Sequence, residues 1–103
     1  IENVFDGINI KLMKCGSLFE ALTMIKMARD RDMKIMLGCM IESSIGITAA
    51  AHLSPLVDYA DLDGNLLINN DPYTGVTVNK GQLVLPEGNG LGISLNSTDN
   101  NLL

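Results

Sequence analysis

The 103-residue chain has no tryptophan, one histidine, two cysteines, two tyrosines and two phenylalanines. Two cysteines and one histidine do not make a zinc site. No apolar run approaches the roughly 20 residues that span a bilayer. No basic stretch followed by an apolar one opens the chain, so no secretory leader is visible and the expected compartment is the cytoplasm. Basic charge is also scarce: seven Lys and Arg stand against twelve Asp and Glu, for a net charge of −5. The basic residues are scattered and form no patch to neutralise phosphates, which excludes nucleic acid as a partner and, for the same reason, an anionic membrane surface. Cys15 and Cys39 each lie beside a glycine at the end of a predicted strand. They can be bridged only if their Cα atoms come within about 7 Å. In a cytosolic protein the expectation is two buried free thiols.

What is present suits one folded unit. Apolar residues make up 47% of the chain and charged residues 18%, enough to bury one core but in too few residues for two domains. Ile8–Met13 alternates apolar and polar residues before the breaker Cys15-Gly16, which predicts a strand. Ser17-Leu18-Phe19-Glu20 fits a capping box. From it Leu18, Ala21, Leu22, Ile25 and Ala28 recur at helical spacing, predicting an amphipathic helix that ends near Asp32. Lys34–Cys39 reads as a strand covered on both faces. Ser43 and Ser44 offer N-caps for a second helix from Ile45 to about Leu53, limited by Pro55. Tyr59–Asp63 predicts a third strand, stopped by Gly64. Strand starts spaced by about 25 residues are usual for βα units, and right-handed crossovers then give a parallel sheet with helices outside. After Gly64 the helical pattern stops. Val76–Val78 and Leu83–Leu85 flank Asn79-Lys80-Gly81 as a hairpin, and Pro86, Gly88, Gly90 and Gly92 punctuate an irregular return. Ser97–Asn101 is polar and expected to fray.

Three segments together resemble the C-terminal part of the enolase superfamily, in the muconate-lactonizing subgroup and nearest to its dipeptide epimerases. They are Ile8-Asn-Ile-Lys-Leu-Met-Lys-Cys-Gly16, then Gly38-Cys-Met-Ile-Glu-Ser-Ser-Ile-Gly-Ile-Thr-Ala-Ala-Ala-His52, then Asp61-Leu-Asp-Gly64 followed by Asn70-Asp-Pro-Tyr73 and Gly90-Leu-Gly92. Their order and spacing carry the resemblance to about Leu95. Ser17 stands where relatives often have a second glycine, and a serine caps the helix as well. The resemblance implies an α/β fold: the last part of a (β/α)7β TIM-like barrel, with its sixth to eighth strands and two helices over 1–64. A hairpin-bearing segment over 65–95 would return to a capping domain, and 96–103 would be a flexible tail.

The implied chemistry is inversion at the α-carbon of a dipeptide residue, by proton removal on one face, a metal-stabilised enolate and proton return on the other. Lys11 matches the family's acid/base lysine at the end of the sixth strand. A lysine becomes a useful base when desolvation or nearby cations lower its pKa, and a barrel mouth with a divalent metal supplies both. Lys14 is its rival, an odd number of residues away and so on the other face of a continuous strand. Asp61 and Asp63 are two apart and share a strand face. Two such carboxylates are costly unless they share a cation, which the resemblance identifies as the substrate's α-ammonium group. Cys39, Met40 and Glu42 sit at the end of the seventh strand, where they can line the substrate pocket. Met40 also suits plain packing, and Glu42 suits a supporting loop carboxylate. His52 reads as structural or exposed, and Asp71-Pro72 as a turn.

The family's three metal-binding carboxylates and its Lys-x-Lys pair belong to earlier strands. Mg2+ is therefore expected in a full-length family enzyme but not in this chain alone, which is expected to be inactive. Its open sheet edges are expected to recruit partners, most simply further copies of itself. Two other readings stay open: a non-catalytic α/β assembly module, and an N-acyl-amino-acid racemase or lactonizing branch of the superfamily, which Asp61-x-Asp63 disfavours.

Overall fold

Residues 5–96 are described by the computed structural model. The expected flexible tail lies, from residue 97 onward, outside them. Alternation of Ile8 and Ile10 with Asn9 and Lys11 produces β1 (Gly7–Lys11). The strand stops at Lys11, two residues before the predicted end. Gly16 adopts a left-handed φ of 95°, which a residue without Cβ takes at little cost. Its amide closes on the Leu12 carbonyl at 2.9 Å, winding Leu12–Cys15 into a one-turn helix, α1.

Ser17 then caps α2 (Leu18–Asp30), its hydroxyl accepting from the Glu20 amide at 3.0 Å. Ala21, Ile25 and Ala28 are buried, whereas Leu18 and Leu22 are exposed, so the apolar stripe is narrower than its spacing suggested. After β2 (Lys34–Gly38), α3 (Ser44–Ala51) is shorter than predicted, and Pro55 opens a 3₁₀ turn over Ser54–Leu56. The third strand, β3, is only Tyr59–Ala60. These strands form a parallel sheet in the order β1-β2-β3. Ile10, Ile35 and Leu37 pack with Ala21, Ile25, Ala28, Ile47, Ala50 and Ala51 in one core.

The predicted hairpin is β5 (Thr77–Asn79) with β6 (Gln82–Val84). Its turn residues Lys80 and Gly81 have φ of 51° and 80°, the paired positive values of a type I′ turn. An unpredicted pairing joins β4 (Tyr73–Thr74) to β7 (Ser94–Leu95), antiparallel. Among the described residues no helix is long and apolar enough to cross a membrane.

Two polar locks, one helical turn apart on α3, hold the C-terminal segment. Ser43 makes no side-chain cap; instead Asp71 Oδ2 accepts from the Ser44 amide and hydroxyl at 2.9 and 2.5 Å. A carboxylate there also faces the positive end of the helix dipole. The second lock is Thr48, fully buried, whose Oγ1 accepts from the Val76 amide at 2.8 Å. Gly75 lies so close to Thr48 that a Cβ would overlap its hydroxyl.

At the N-terminal end of the sheet Asp58 Oδ2 accepts from Arg29 and from the Ile35 amide, each at 2.8 Å. Arg29 also donates to the Leu56 carbonyl at 3.1 Å. The Arg29 guanidinium, helped by the Ile35 amide, holds the Asp58 carboxyl below its usual range.

Two measurements follow from these contacts. Thr48→Val leaves the buried Val76 amide without an acceptor and lowers unfolding free energy by about 1–3 kcal/mol, read from urea denaturation. Since the folded state holds the lower Asp58 pKa, its stabilisation is complete above the unfolded value of about 3.9 and is lost as pH falls through the folded value. Asp58→Asn is therefore less stable than the parent at pH 7, and the gap closes on acidification below about pH 4; urea midpoints across that range check it.

Candidate functional site

β1, β2 and β3 run parallel, so their C-terminal ends meet on one side of the sheet. Lys11 pairs with Gly38, and Leu37 with Ala60, so Asp61 follows level with Gly38. The Asp61 amide continues the ladder by donating to the Leu37 carbonyl at 2.9 Å. Lys11, Gly38 and Asp61 thus form a row across three strands, with the lysine and the acid two strand spacings, or about 10 Å, apart. Gly38 contributes no side chain to the middle of that row. The Asn9 carboxamide lies over it, 2.7 Å from where a Cβ would stand.

The β2–α3 loop crosses between the two ends of the row. Met40 Sδ is 4.0 Å from Lys11 Nζ, and Cys39 Sγ is 4.0 Å from Asp63 Oδ1. Four of the five predicted site residues therefore form two contacting pairs, and Asp61 stands beside them in register. Asp63 is not on a continuous strand, since its φ and ψ of −112° and 5° begin the 3₁₀ turn Gly64–Leu67. The strand argument for a shared face fails at that residue. Burial still alternates: Leu62 enters the core while Asp61 and Asp63 are exposed. Among the described residues Lys11, Asp61 and Asp63 make no ion pair.

The strand-face argument does not apply to Lys14 either, because it sits on α1. With Lys11, Asn9, Ile10, Cys15 and Met24 it lines a cleft of about 300 Å³ beside β1. His52 ends α3 far from the strand tips, its Nδ1 2.7 Å from the Thr48 carbonyl. Cys15 and Cys39 are free thiols, half-buried rather than buried. Among the described residues no three His, Cys, Asp or Glu side chains converge.

Three residues outside the expected site also shape this end of the sheet. Asn9 is two before Lys11 on the same strand, and that spacing was a usable signal. Gly64 ends the predicted strand and belongs to the Asp61-Leu-Asp-Gly64 resemblance, and a Cβ there would overlap the Met40 carbonyl. Asp71-Pro72 has the local signature of a turn, and no local pattern reveals a cap that reaches 27 residues back.

This geometry has close relatives. Residues 2–99 match the Enolase C-terminal domain-like family, and the chain belongs to it. It is 50% identical over 93 residues to the L-Ala-D/L-Glu epimerase of Bacteroides thetaiotaomicron, covering 90% of this chain and 24% of that protein. Its fold is similar to the dipeptide epimerase from Cytophaga hutchinsonii complexed with Mg and the dipeptide D-Ala-L-Val, with a TM-score of 0.79 and 33% identity over 89% of this chain and 26% of the other. It is also similar to the N-succinyl Arg/Lys racemase from Bacillus cereus, at a TM-score of 0.82 and 30% identity over 90% and 26% of the two chains. The α/β fold thus matches the C-terminal part of enolase-superfamily epimerases, and the chain spans about a quarter of the length of those relatives.

The contact at Gly64 has a measurable consequence. Gly64→Ala sets a methyl group against a backbone carbonyl that cannot rotate away, and lowers unfolding free energy by about 1–3 kcal/mol in chemical denaturation.

Proposed function

We propose that this chain is the part of a Mg2+-dependent dipeptide epimerase that supplies one acid/base and the anchor for the substrate's ammonium group. The observation that carries the reading is the row Lys11–Gly38–Asp61 with Asp63 beside it: a cation and two acids at the same end of the sheet, separated by the glycine of the middle strand and unpaired with each other. The ammonium end of a dipeptide complements the two acids. Its α-ammonium would sit between Asp61 and Asp63, as the Asp-x-Asp resemblance suggests. Lys11 Nζ would then remove or return the α-proton on one face of the residue being inverted, a role worth roughly 10²–10⁴-fold in rate. Cys39 and Met40 would line the space between anchor and base.

The strands correspond in this reading to the sixth, seventh and eighth of a TIM-like barrel, with residues 65–95 returning to a capping domain. The opposing acid and the carboxylates for Mg2+ would come from other parts of a whole protein, and Mg2+ would stabilise the enolate when bound. One base without an opposing acid does not invert a centre. The chain alone is therefore inactive, and its β1 edge, unpaired among the described residues, and its exposed Phe5, Phe19 and Tyr59 drive it to associate. The half-buried free thiols suit a reducing cytoplasm.

The likeness to an N-succinyl amino acid racemase supports a second reading, in which the substrate carries an acylated nitrogen. Asp61 and Asp63 speak against it, since an amide nitrogen brings no charge to offset two carboxylates.

A chimera tests both. Residues 5–96 are exchanged for the matching quarter of the Bacteroides thetaiotaomicron epimerase, and α-proton exchange into D2O is followed with L-Ala-L-Glu and with N-succinyl amino acids. The expected result is Mg2+-dependent dipeptide exchange that Lys11→Ala lowers by roughly 10²-fold or more for one epimer. Asp61→Asn raises KM for dipeptides. Exchange only with acylated substrates, or exchange indifferent to Lys11, defeats the proposal. The purified 103-residue chain should show no turnover and should scatter light as an oligomer; an active chain or a clean monomer counts against that part.

A further inference from the structure

We infer that Glu42 is a positioning residue for this site: its buried carboxylate holds the Cys39–Met40 tip that spaces Lys11 from the acids. The inference rests on the epimerase reading. Glu42 is 9% exposed, while its neighbours Met40 and Ile41 are 43% and 66% exposed. The chain thus turns a charged side chain inward at a tip whose apolar side chains face out. Glu42 Oε2 accepts from the Met40 amide at 2.9 Å. On the other side, the Met40 carbonyl lies against Gly64 with no room for a Cβ. The Met40 backbone is gripped from both sides.

That grip reaches both halves of the site. The Met40 side chain touches Lys11, and the adjoining Cys39 touches Asp63. A shift of the tip moves the base and the ammonium anchor relative to one another. The other carboxylate oxygen lies over Gly46 in the first turn of α3, where a Cβ would overlap it. The positive end of the helix dipole offsets the buried charge there. A buried carboxylate is costly unless hydrogen bonded, and a position needed only for packing is better filled by an apolar side chain. The carboxylate's use is its directed bond to Met40.

The test uses Glu42→Ala and Glu42→Gln in the chimera with the Bacteroides thetaiotaomicron epimerase, read by amide hydrogen exchange at Met40 and by dipeptide kinetics. Glu42→Ala speeds exchange at Met40 but not at the core amides of Ile35 and Leu37. It lowers kcat/KM on the order of 100-fold, the cost of misplacing reacting groups by about 1 Å. Glu42→Gln keeps an acceptor oxygen, keeps Met40 protected and recovers most of kcat/KM. Where Glu42→Ala does not fold, Gly46→Ala displaces the carboxylate and speeds Met40 exchange in its place. Unchanged exchange at Met40, full activity of Glu42→Ala, or equal losses in the Ala and Gln variants overturns the role while an active parent leaves the epimerase reading intact. A parent without dipeptide turnover overturns both.

Discussion

The parallel ladder between β1, β2 and β3 is the constraint on which everything else in this chain depends. It brings three strands that start about 25 residues apart to a common end. Because side chains alternate along a strand, burying Ile8, Ile10, Ile35 and Leu37 against α2 and α3 turns Asn9, Lys11 and Met36 to the opposite face. A slip of one residue would send Lys11 into the core. The hydrophobic pattern thus sets the register, and the register sets the distance between the lysine and the acids.

The two ends of this sheet use charge in opposite ways. At the N-terminal end Arg29 and Asp58 neutralise each other and satisfy the Ile35 amide and the Leu56 carbonyl. That arrangement stabilises and leaves nothing over for a ligand. At the C-terminal end Lys11, Asp61 and Asp63 remain unpaired among the described residues, kept apart by the strand spacing and by Gly38, over which the Asn9 carboxamide lies. Catalytic groups of βα folds collect at that end, and stabilising ones at the other. The N-terminus of α3 anchors two neighbouring segments. Asp71 and Glu42 both reach it, the first tying down the C-terminal segment and the second the tip beside Lys11.

Much of the fold was legible from local patterns, and the misses are instructive. The Ser17 cap, the Lys80-Gly81 turn and the order of strands and helices follow from short-range preferences of a few adjacent residues. The pattern alone extends β1 past Lys11 because Leu12 continues the alternation of Ile8 and Ile10. Only the left-handed Gly16 shows that the chain winds there instead. The stripe on α2 was drawn too wide because spacing marks a face but not how much of it the sheet covers, so Leu18 and Leu22 stay exposed. The β4–β7 pair joins residues too far apart in the chain for alternation to reveal.

The sequence by itself determined the residue types at the strand tips: the lysine after an alternating run, the glycine before Cys39, the paired aspartates before Gly64. Periodicity and turn chemistry are local, and a chain carries them whether folded or not. Tertiary structure alone decided that Lys11, Gly38 and Asp61 share one row, that Asp71 caps a helix from the far side of a loop, and that Glu42 turns inward to hold Met40. Those relations arise only when backbone groups distant in the chain compete for the same hydrogen bonds and the same space.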